Sequence, residues 1–234
     1  MSDKKVVKKV PKVMLAIPNQ NHVSVHMARF LPELMLDAAM NRTCDITLYF
    51  SKVTCIDYNR NTIVKNFLDT DCEWLLMMDE DNVPLKNPLQ LLKENRDVII
   101  CPTLMFKTTN GGPALNYNVF MKNGKMWKNI WLEDPKNKIQ EVDAGGTGCI
   151  LIHRRVLEKI KAPFKSRLNE QGFRIVGSDL YFCERAKKEG FKIWAYWDYA
   201  CSHYKEIDLT DVARLVLRAK NIGEKIEAKL ITSK

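Results

Sequence analysis

Residues 74–81 read WLLMMDED, five apolar side chains in unbroken succession followed by three acids with no spacer. A half-buried strand would alternate and a surface helix would show a polar position every third or fourth residue. A run that is apolar throughout therefore predicts a central strand covered on both faces. Strands of this kind build open α/β sheets, whose ligands bind outside the carboxyl ends. Asp79, Glu80 and Asp81 stand at that end. Clustered carboxylates repel until something positive joins them, and the natural partner is a hard divalent cation, Mn²⁺ or Mg²⁺, which bridges protein carboxylates to phosphate oxygens. Alternation of neighbouring residues predicts that Glu80 points away from the site.

Towards the N-terminus, residues 12–18 (KVMLAIP) form another apolar run, stopped by proline, and predict a buried first strand. Met27, Phe30, Leu31, Leu34, Met35, Ala38 and Ala39 then keep helical spacing, with Pro32 in a first turn or at a kink. Residues 45–50 (DITLYF) predict a second strand, and Ile63, Val64, Phe67 and Leu68 mark a helix beginning near Asn59. Beyond the acids, Asn87 followed by Pro88 reads as a capped helix start, and a strand is expected over 97–101. This alternation of strand and helix is that of a doubly wound sheet.

From 102 to 142 the periodicity fades. Asn110, Gly111, Gly112 and Pro113 punctuate the segment and Asn123-Gly124 gives a hairpin signal, so a long irregular insertion of the kind that carries binding is expected. Its aromatic residues Tyr117, Phe120, Trp127 and Trp131 either stack on a ligand or cover the core. Regular structure is expected to resume with a strand over 149–153, helices over 154–161 and 178–189, and a strand over 191–197. Val212, Leu215, Val216, Ala219, Ile222, Ile226 and Leu230 share one helical face, with a break at Gly223. Gly145-Gly146-Thr147-Gly148 lacks the Lys-Ser/Thr ending of a P-loop and is no dinucleotide fingerprint, which argues against kinase and dehydrogenase chemistry.

The chain has 234 residues, 46% hydrophobic and 28% charged, which excludes disorder, collagen and coiled coil as descriptions of the whole. Of the net charge of +9, residues 1–12 carry +4 through Lys4, Lys5, Lys8, Lys9 and Lys12 against Asp3. The rest of the chain is therefore only mildly basic. Seven cysteines form no CxxC pair, which argues against a disulfide framework or a structural zinc site and predicts a reducing, cytoplasmic setting. No apolar run approaches the length of a membrane span.

With these segments quoted, the chain resembles the GT-A fold glycosyltransferases, of the family-2-like kind. MMDEDNVP resembles their metal-binding Asp-x-Asp, and AIPNQ, with Pro18 and Asn19, the loop that receives the nucleotide base. Arg60-Asn61 opens the helix before the acidic strand. VDAGGTGCILIHRRVLEKI, with Gly146, resembles the glycine-rich strand near the acceptor. GSDLYFCERAKKEGFKIWAYWDYACSH resembles the stretch in which an acid opens a helix and a His follows the next strand.

The resemblance implies a single domain with a mixed, mostly parallel sheet flanked by helices. A basic flexible tail (1–12) would precede the catalytic body (13–207), and a helical extension (208–234) would follow it. It implies Mn²⁺ or Mg²⁺ held by Asp79, Asp81 and His203, with Asp79 also holding the ribose. Pro18, Asn19, Arg60, Asn61, Asp79 and Gly146 would contact a nucleotide-sugar donor, with UDP-sugar expected. Asp179 would be the general base of an inverting transfer to an acceptor hydroxyl, on a saccharide or on a hydroxylated base in DNA. The chain departs from the family pattern at Ser178, where an acid often precedes the base. The residues alone leave two other readings open, a nucleotidyltransferase using the same carboxylates and a non-catalytic nucleic-acid-binding protein using the lysine tail and aromatic loop.

Overall fold

The computed structural model describes residues 10–218 and 221, apart from positions 20, 21, 110, 111, 125, 133 and 135. Residues 1–9 of the basic tail lie outside this range, as do Asn110, Gly111, Ala219, Ile222, Gly223, Ile226 and Leu230. In chain order the first half runs β1 (Lys12–Asn19), α1 (Val25–Asn41), β2 (Asp45–Lys52), α2 (Ile56–Leu68), β3 (Trp74–Met78), β4 (Asn82–Pro84), a 3-10 helix (Pro88–Glu94) and β5 (Val98–Ile100). There follow β6 (Leu104–Thr109), β7 (Gly112–Asn123), β8 (Met126–Trp131), β9 (Ile139–Val142), β10 (Ala144–Gly145), β11 (Cys149–His153) and α3 (Arg154–Lys159). The last elements are β12 (Arg167–Leu168), β13 (Arg174–Val176), α4 (Ser178–Lys188), β14 (Ile193–Tyr196), a 3-10 turn (Trp197–Tyr199) and β15 (Cys201–His203), with a further helix over 209–218.

Seven strands form the central sheet in the order β2-β1-β3-β11-β5-β14-β9. β2, β1, β3, β5 and β14 run one way, and only β11 and β9 oppose them. This is the mixed, mostly parallel sheet between helices that the GT-A resemblance implies. The unbroken apolar runs have the expected cause. Met14, Ala16, Leu75 and Met77 face the α2 side with Ile63, Val64 and Phe67, while Val13, Leu15, Ile17, Leu76 and Met78 face the α1 side with Met27, Leu31 and Leu34. Both faces are thereby dry over residues 13–17 and 74–78, where every residue is apolar. Among the described residues, no helix is long and apolar enough to cross a membrane.

Several boundaries differ from the sequence expectation. α1 starts at Val25, where Ser24 Oγ accepts from Met27 N at 3.1 Å. Pro32 therefore lies in the helix interior and not in its first turn, and it deprives the exposed Ala28 carbonyl of its partner. α2 begins at Ile56, ahead of Asn59. Instead of capping the helix, Asn59 is buried and its Nδ2 donates to Val53 O at 2.9 Å and Ser51 O at 3.2 Å, closing the loop from β2. α3 ends at Lys159, before Ala162 at φ +44°. β14 is confined to Ile193–Tyr196, and Trp197 turns away in the 3-10 segment.

The largest difference is at 102–142, which is not irregular. β6, β7 and β8 form an antiparallel sheet extended by β10, and β9 joins the edge of the central sheet beside β14. The hairpin at Asn123-Gly124 is present, with Asn123 opposite Met126 and Gly124 at φ +60°. Periodicity is weak because β7 carries Asn116 and Asn118 where an ordinary core strand would carry apolar side chains. Tyr117, Phe120 and Trp127 are partly buried and packed against the core, as cover for it.

Arg154 supplies a helix stop that local sequence does not announce. Its Nε donates to Cys72 O at 2.7 Å, Nη1 to Leu68 O at 3.3 Å and Nη2 to Phe67 O at 3.0 Å, and the guanidinium lies 4.8 Å from the Phe67 ring centroid. The last two carbonyls of α2, which the helix itself leaves unpaired, and those of Thr70 and Cys72 in the loop beyond it are thus bonded from α3. Arg154→Met should cost about 3 kcal/mol in urea unfolding, because one charged donor serves several of them. Glu158→Ala, removing only an exposed partner 3.6 Å from Arg154, should cost under ~0.5 kcal/mol.

Candidate active site

β1 pairs with β2 on one side and β3 on the other, so the chain leaves β1 in one direction and returns across it. That reversal opens a crevice at the carboxyl ends of β1 and β3. A cavity of about 520 Å³ lies there. Pro18 from the end of β1, the acids after β3, Gly146 before β11, Asp179 from the first turn of α4, and His203 at the end of β15 all line it. Residues far apart in sequence meet because five elements end on the same edge.

Arg60 lies behind this wall, with its side chain 6% exposed. Its Nη1 donates to Asp179 Oδ1, and Nη2 approaches Asp79 at 3.3 Å to Oδ2 and 3.4 Å to Oδ1. Asp179 Oδ1 also accepts from Thr147 Oγ1 at 3.2 Å and Ser178 Oγ at 3.5 Å. All these contacts converge on one oxygen, which fixes the carboxylate and leaves its second oxygen outside them. Burial pushes the Asp79 carboxyl up, Arg60 opposes this, and the neighbouring charges of Asp179 and Asp81 add to the rise, to about 6.

Asp81 is held differently. Burial would raise its carboxyl, but contacts with His203 and Lys205 more than offset that, lowering it to about 2. β15 pairs antiparallel with β4, placing His203 opposite Asn82, and Tyr204 N donates to Asp81 O at 2.9 Å. This short ladder delivers His203 and Lys205, two apart in extended chain and so on one side, to the Asp81 side chain. His203 Nδ1 lies 3.0 Å from Leu104 O. A carbonyl can only accept, so the proton is on Nδ1, and Nε2 faces Asp81 Oδ2 at 3.5 Å. That separation exceeds the 2.7–2.9 Å typical of a charge-assisted hydrogen bond (about 2.8 Å). A ring nitrogen whose other N–H is fixed by a backbone carbonyl shares the arrangement that metal-ligating histidines have.

Among the described residues, no three His, Cys, Asp or Glu side chains are gathered closely enough to enclose an ion by themselves. Mg²⁺ and Mn²⁺ suit such an incomplete set, since Mg²⁺ usually keeps several waters and takes one or two carboxylates plus phosphate oxygens. Asp81 and His203 therefore fit a divalent ion, whereas Asp79 is tied to Arg60.

The remaining expectations are distributed as follows. Asn19 does not line the cavity, and its carbonyl is 3.5 Å from Asn59 Nδ2. Asn61 does not line it either. Its Nδ2 donates to Phe164 O at 2.6 Å and its Oδ1 accepts from Phe164 N at 3.1 Å, anchoring the chain between α3 and β12. Arg60 is a neighbour of the site acids, not part of the cavity lining. Glu80, expected to point away, does line the cavity, because alternation ends with β3 and residues 79–82 form a turn closed by Asn82 N to Asp79 O at 3.1 Å. Its Oε1 is 3.5 Å from His22 Nε2. Lys205, Thr147 and Asn118 also line the cavity, with no individual role expected of them. The His-x-Lys spacing after a strand could have marked Lys205 and the glycine motif Thr147, but nothing local marks Asn118. A Cβ at Gly146 would lie 2.3 Å from Asn118 Nδ2, so any other residue there would have to displace the Asn118 side chain.

No protein-family model and no curated protein sequence matches the chain. Among solved structures it is similar to the STIV protein A197, with 22% identity over 83% of this chain and 86% of that one and a TM-score of 0.56. It also aligns with GalNAc-T7 bound to UDP, GalNAc and Mn²⁺, at 9% identity over 86% of this chain and 44% of that one, TM-score 0.48. A third alignment is with UDP-glucose pyrophosphorylase complexed with UDP-glucose, at 8% identity over 83% of this chain and 92% of that one, TM-score 0.46. The likeness to the STIV protein is one of fold.

Arg60 between two carboxylates makes a cluster of net charge −1. Arg60→Met leaves Asp79 and Asp179 facing each other and should cost about 3 kcal/mol in urea unfolding, the low end for a broken buried pair because both carboxylates reach solvent. Asp79→Asn leaves a neutral pair and should raise Tm at pH 8. The sign follows from the raised carboxyl of Asp79: its contribution is fully present below the ordinary carboxylate range and is lost as pH rises through about 6. The stability difference between Asp79→Asn and wild type should therefore grow across that interval and level off above it.

Proposed function

We propose that the protein is a divalent-metal-dependent glycosyltransferase, of the family-2-like kind, that moves a sugar from a nucleotide-sugar donor to an acceptor hydroxyl with inversion. The observation that carries this reading is the His203 ring, committed through Nδ1 to Leu104 O and aimed through Nε2 at Asp81, in the same cavity as a carboxylate anchored on one oxygen. Asp81 and His203 would hold Mn²⁺ or Mg²⁺. When bound, the ion supplies Lewis-acid neutralisation of the departing diphosphate.

The chain's own groups account for the rest. Pro18, at the end of β1, flanks the place for the nucleotide base, and Asp79 faces the ribose. Asp179 holds its orientation through Arg60, Thr147 and Ser178, and its outer oxygen removes the acceptor hydroxyl's proton as that oxygen bonds to the anomeric carbon. The bond from that carbon to the phosphate oxygen breaks on the opposite side, and the nucleoside diphosphate leaves with its electrons. Ser178, where the family pattern often has an acid, here donates to the base. A UDP-sugar is the expected donor, and a saccharide or a hydroxylated DNA base the expected acceptor.

Titration calorimetry of UDP, GDP, CDP and dTDP with and without Mn²⁺ tests the donor half. One nucleotide should bind in a metal-dependent way, and Asp81→Ala should weaken it by at least about 100-fold. Pyrophosphate release from a nucleoside triphosphate and a sugar phosphate would instead identify a nucleotidyltransferase. No nucleotide binding, together with salt-dependent nucleic-acid binding that survives Asp81→Ala, would overturn the enzyme reading. Asp179→Asn should keep nucleotide affinity and lower transfer by about 10²–10⁴-fold.

A further inference from the structure

Both oxygens of Asp81 are engaged by protein groups. Asn82 Nδ2 donates to Oδ1 at 2.6 Å, and Lys205 Nζ donates to Oδ2, the same oxygen that faces His203 Nε2. The two site aspartates thus carry counterions of opposite character. Asp79 has Arg60, buried at 6% exposure and fastened to a second carboxylate, whereas the Lys205 side chain is 60% exposed. A cation entering between Asp81 and His203 meets the lysine ammonium on the oxygen it needs, and two positive charges on one oxygen repel.

Lys205 has somewhere to go. It lines the site cavity and also an adjoining cavity of about 670 Å³, and the two share Met105, His203 and Lys205. A lysine is a compact charge on a flexible stem with three donors, suited to phosphate oxygens as well as to a carboxylate. Resting on the donor-site reading above, we propose that Lys205 is a tethered counterion. It neutralises Asp81 when no ligand is bound and passes to the donor's diphosphate when the metal takes Asp81. The metal displaces the lysine and the diphosphate gives the lysine a new partner, so each ligand removes part of the other's cost. Their binding is therefore cooperative through this chain's own side chain, in addition to any direct contact between the two ligands.

Mn²⁺ binding to the full chain, followed by EPR of the free ion with the metal alone and with UDP, tests this on wild type, Lys205→Met and Lys205→Arg. Lys205→Met keeps most of the stem and removes the competing charge. It should bind Mn²⁺ alone about fivefold more tightly, and the gain in affinity on adding UDP should shrink by about the same factor, the lower end of typical coupling. Lys205→Arg keeps the charge and should stay close to wild type in both respects. If Lys205→Met binds Mn²⁺ no better than wild type, or gains as much from UDP, the tethered counterion is overturned while metal and UDP binding by wild type still upholds the donor site. If none of the three proteins binds Mn²⁺ with or without UDP, both fall together.

Discussion

A guanidinium shut behind the cavity wall, held by carboxylates from two other elements, is the constraint that the rest of the site depends on. Arg60 comes from α2, Asp79 from the end of β3, and Asp179 from the start of α4, 119 residues from Arg60 in the chain. A buried arginine is costly unless it is paired; here Nη1 and Nη2 meet carboxylates while Nε has no partner among the described residues, and such a fork cannot be served by side chains that wander. The two helices α2 and α4, which pack in one core cluster, are thereby tied to the end of β3 at the edge where the chemistry would take place. The three-charge cluster is better explained as a device for position than as a source of stability, because burial pushes the Asp79 carboxyl up in spite of Arg60 beside it.

The two aspartates of the acidic turn differ for the same reason. They stand two residues apart, yet one is turned inward onto a fixed partner and the other outward onto an exposed one. That asymmetry is produced by the turn after β3. Had the strand continued, residues 79 and 81 would share a face and an environment, and Glu80 would lie on the other. Ending β3 at Met78 separates the environments and brings Glu80 into the cavity as well.

Much of this was legible in the sequence. The apolar runs within 12–18 and 74–78 fold as strands of the central sheet, as expected, and the acids after the second one line the cavity at its edge. Placing Asp79, Asp81, Asp179 and His203 in one cavity required the order of several motifs, and the structure brings them together. Asn61 and Asn19 were expected at the donor and do not line the cavity, since whether an asparagine meets a ligand or a backbone carbonyl depends on which loop passes above it. Asn61 meets Phe164, 103 residues away. The sheet of β6, β7 and β8 was illegible for a related reason. Its asparagines occupy positions that apolar residues hold in a strand packed only against a core.

Those asparagines follow from what the sheet must cover. Asn118 lines the cavity, its Oδ1 accepts from Thr103 N at 2.8 Å, and its backbone carbonyl accepts from Gly146 N at 2.7 Å. The strand thus reaches the glycine turn closely enough that a Cβ at position 146 would collide with the Asn118 side chain. Along the same lining, Glu80 Oε2, Asn82 Oδ1 and Thr103 Oγ1 are buried without a hydrogen-bond partner among the described residues. Each such atom is an expense that a core would not carry, and native proteins keep few of them. Three on one cavity wall, beside two aspartates with counterions of unequal permanence, leave unmet oxygens that only hydrogen-bond donors or a cation could satisfy, a cost carried by the unliganded fold.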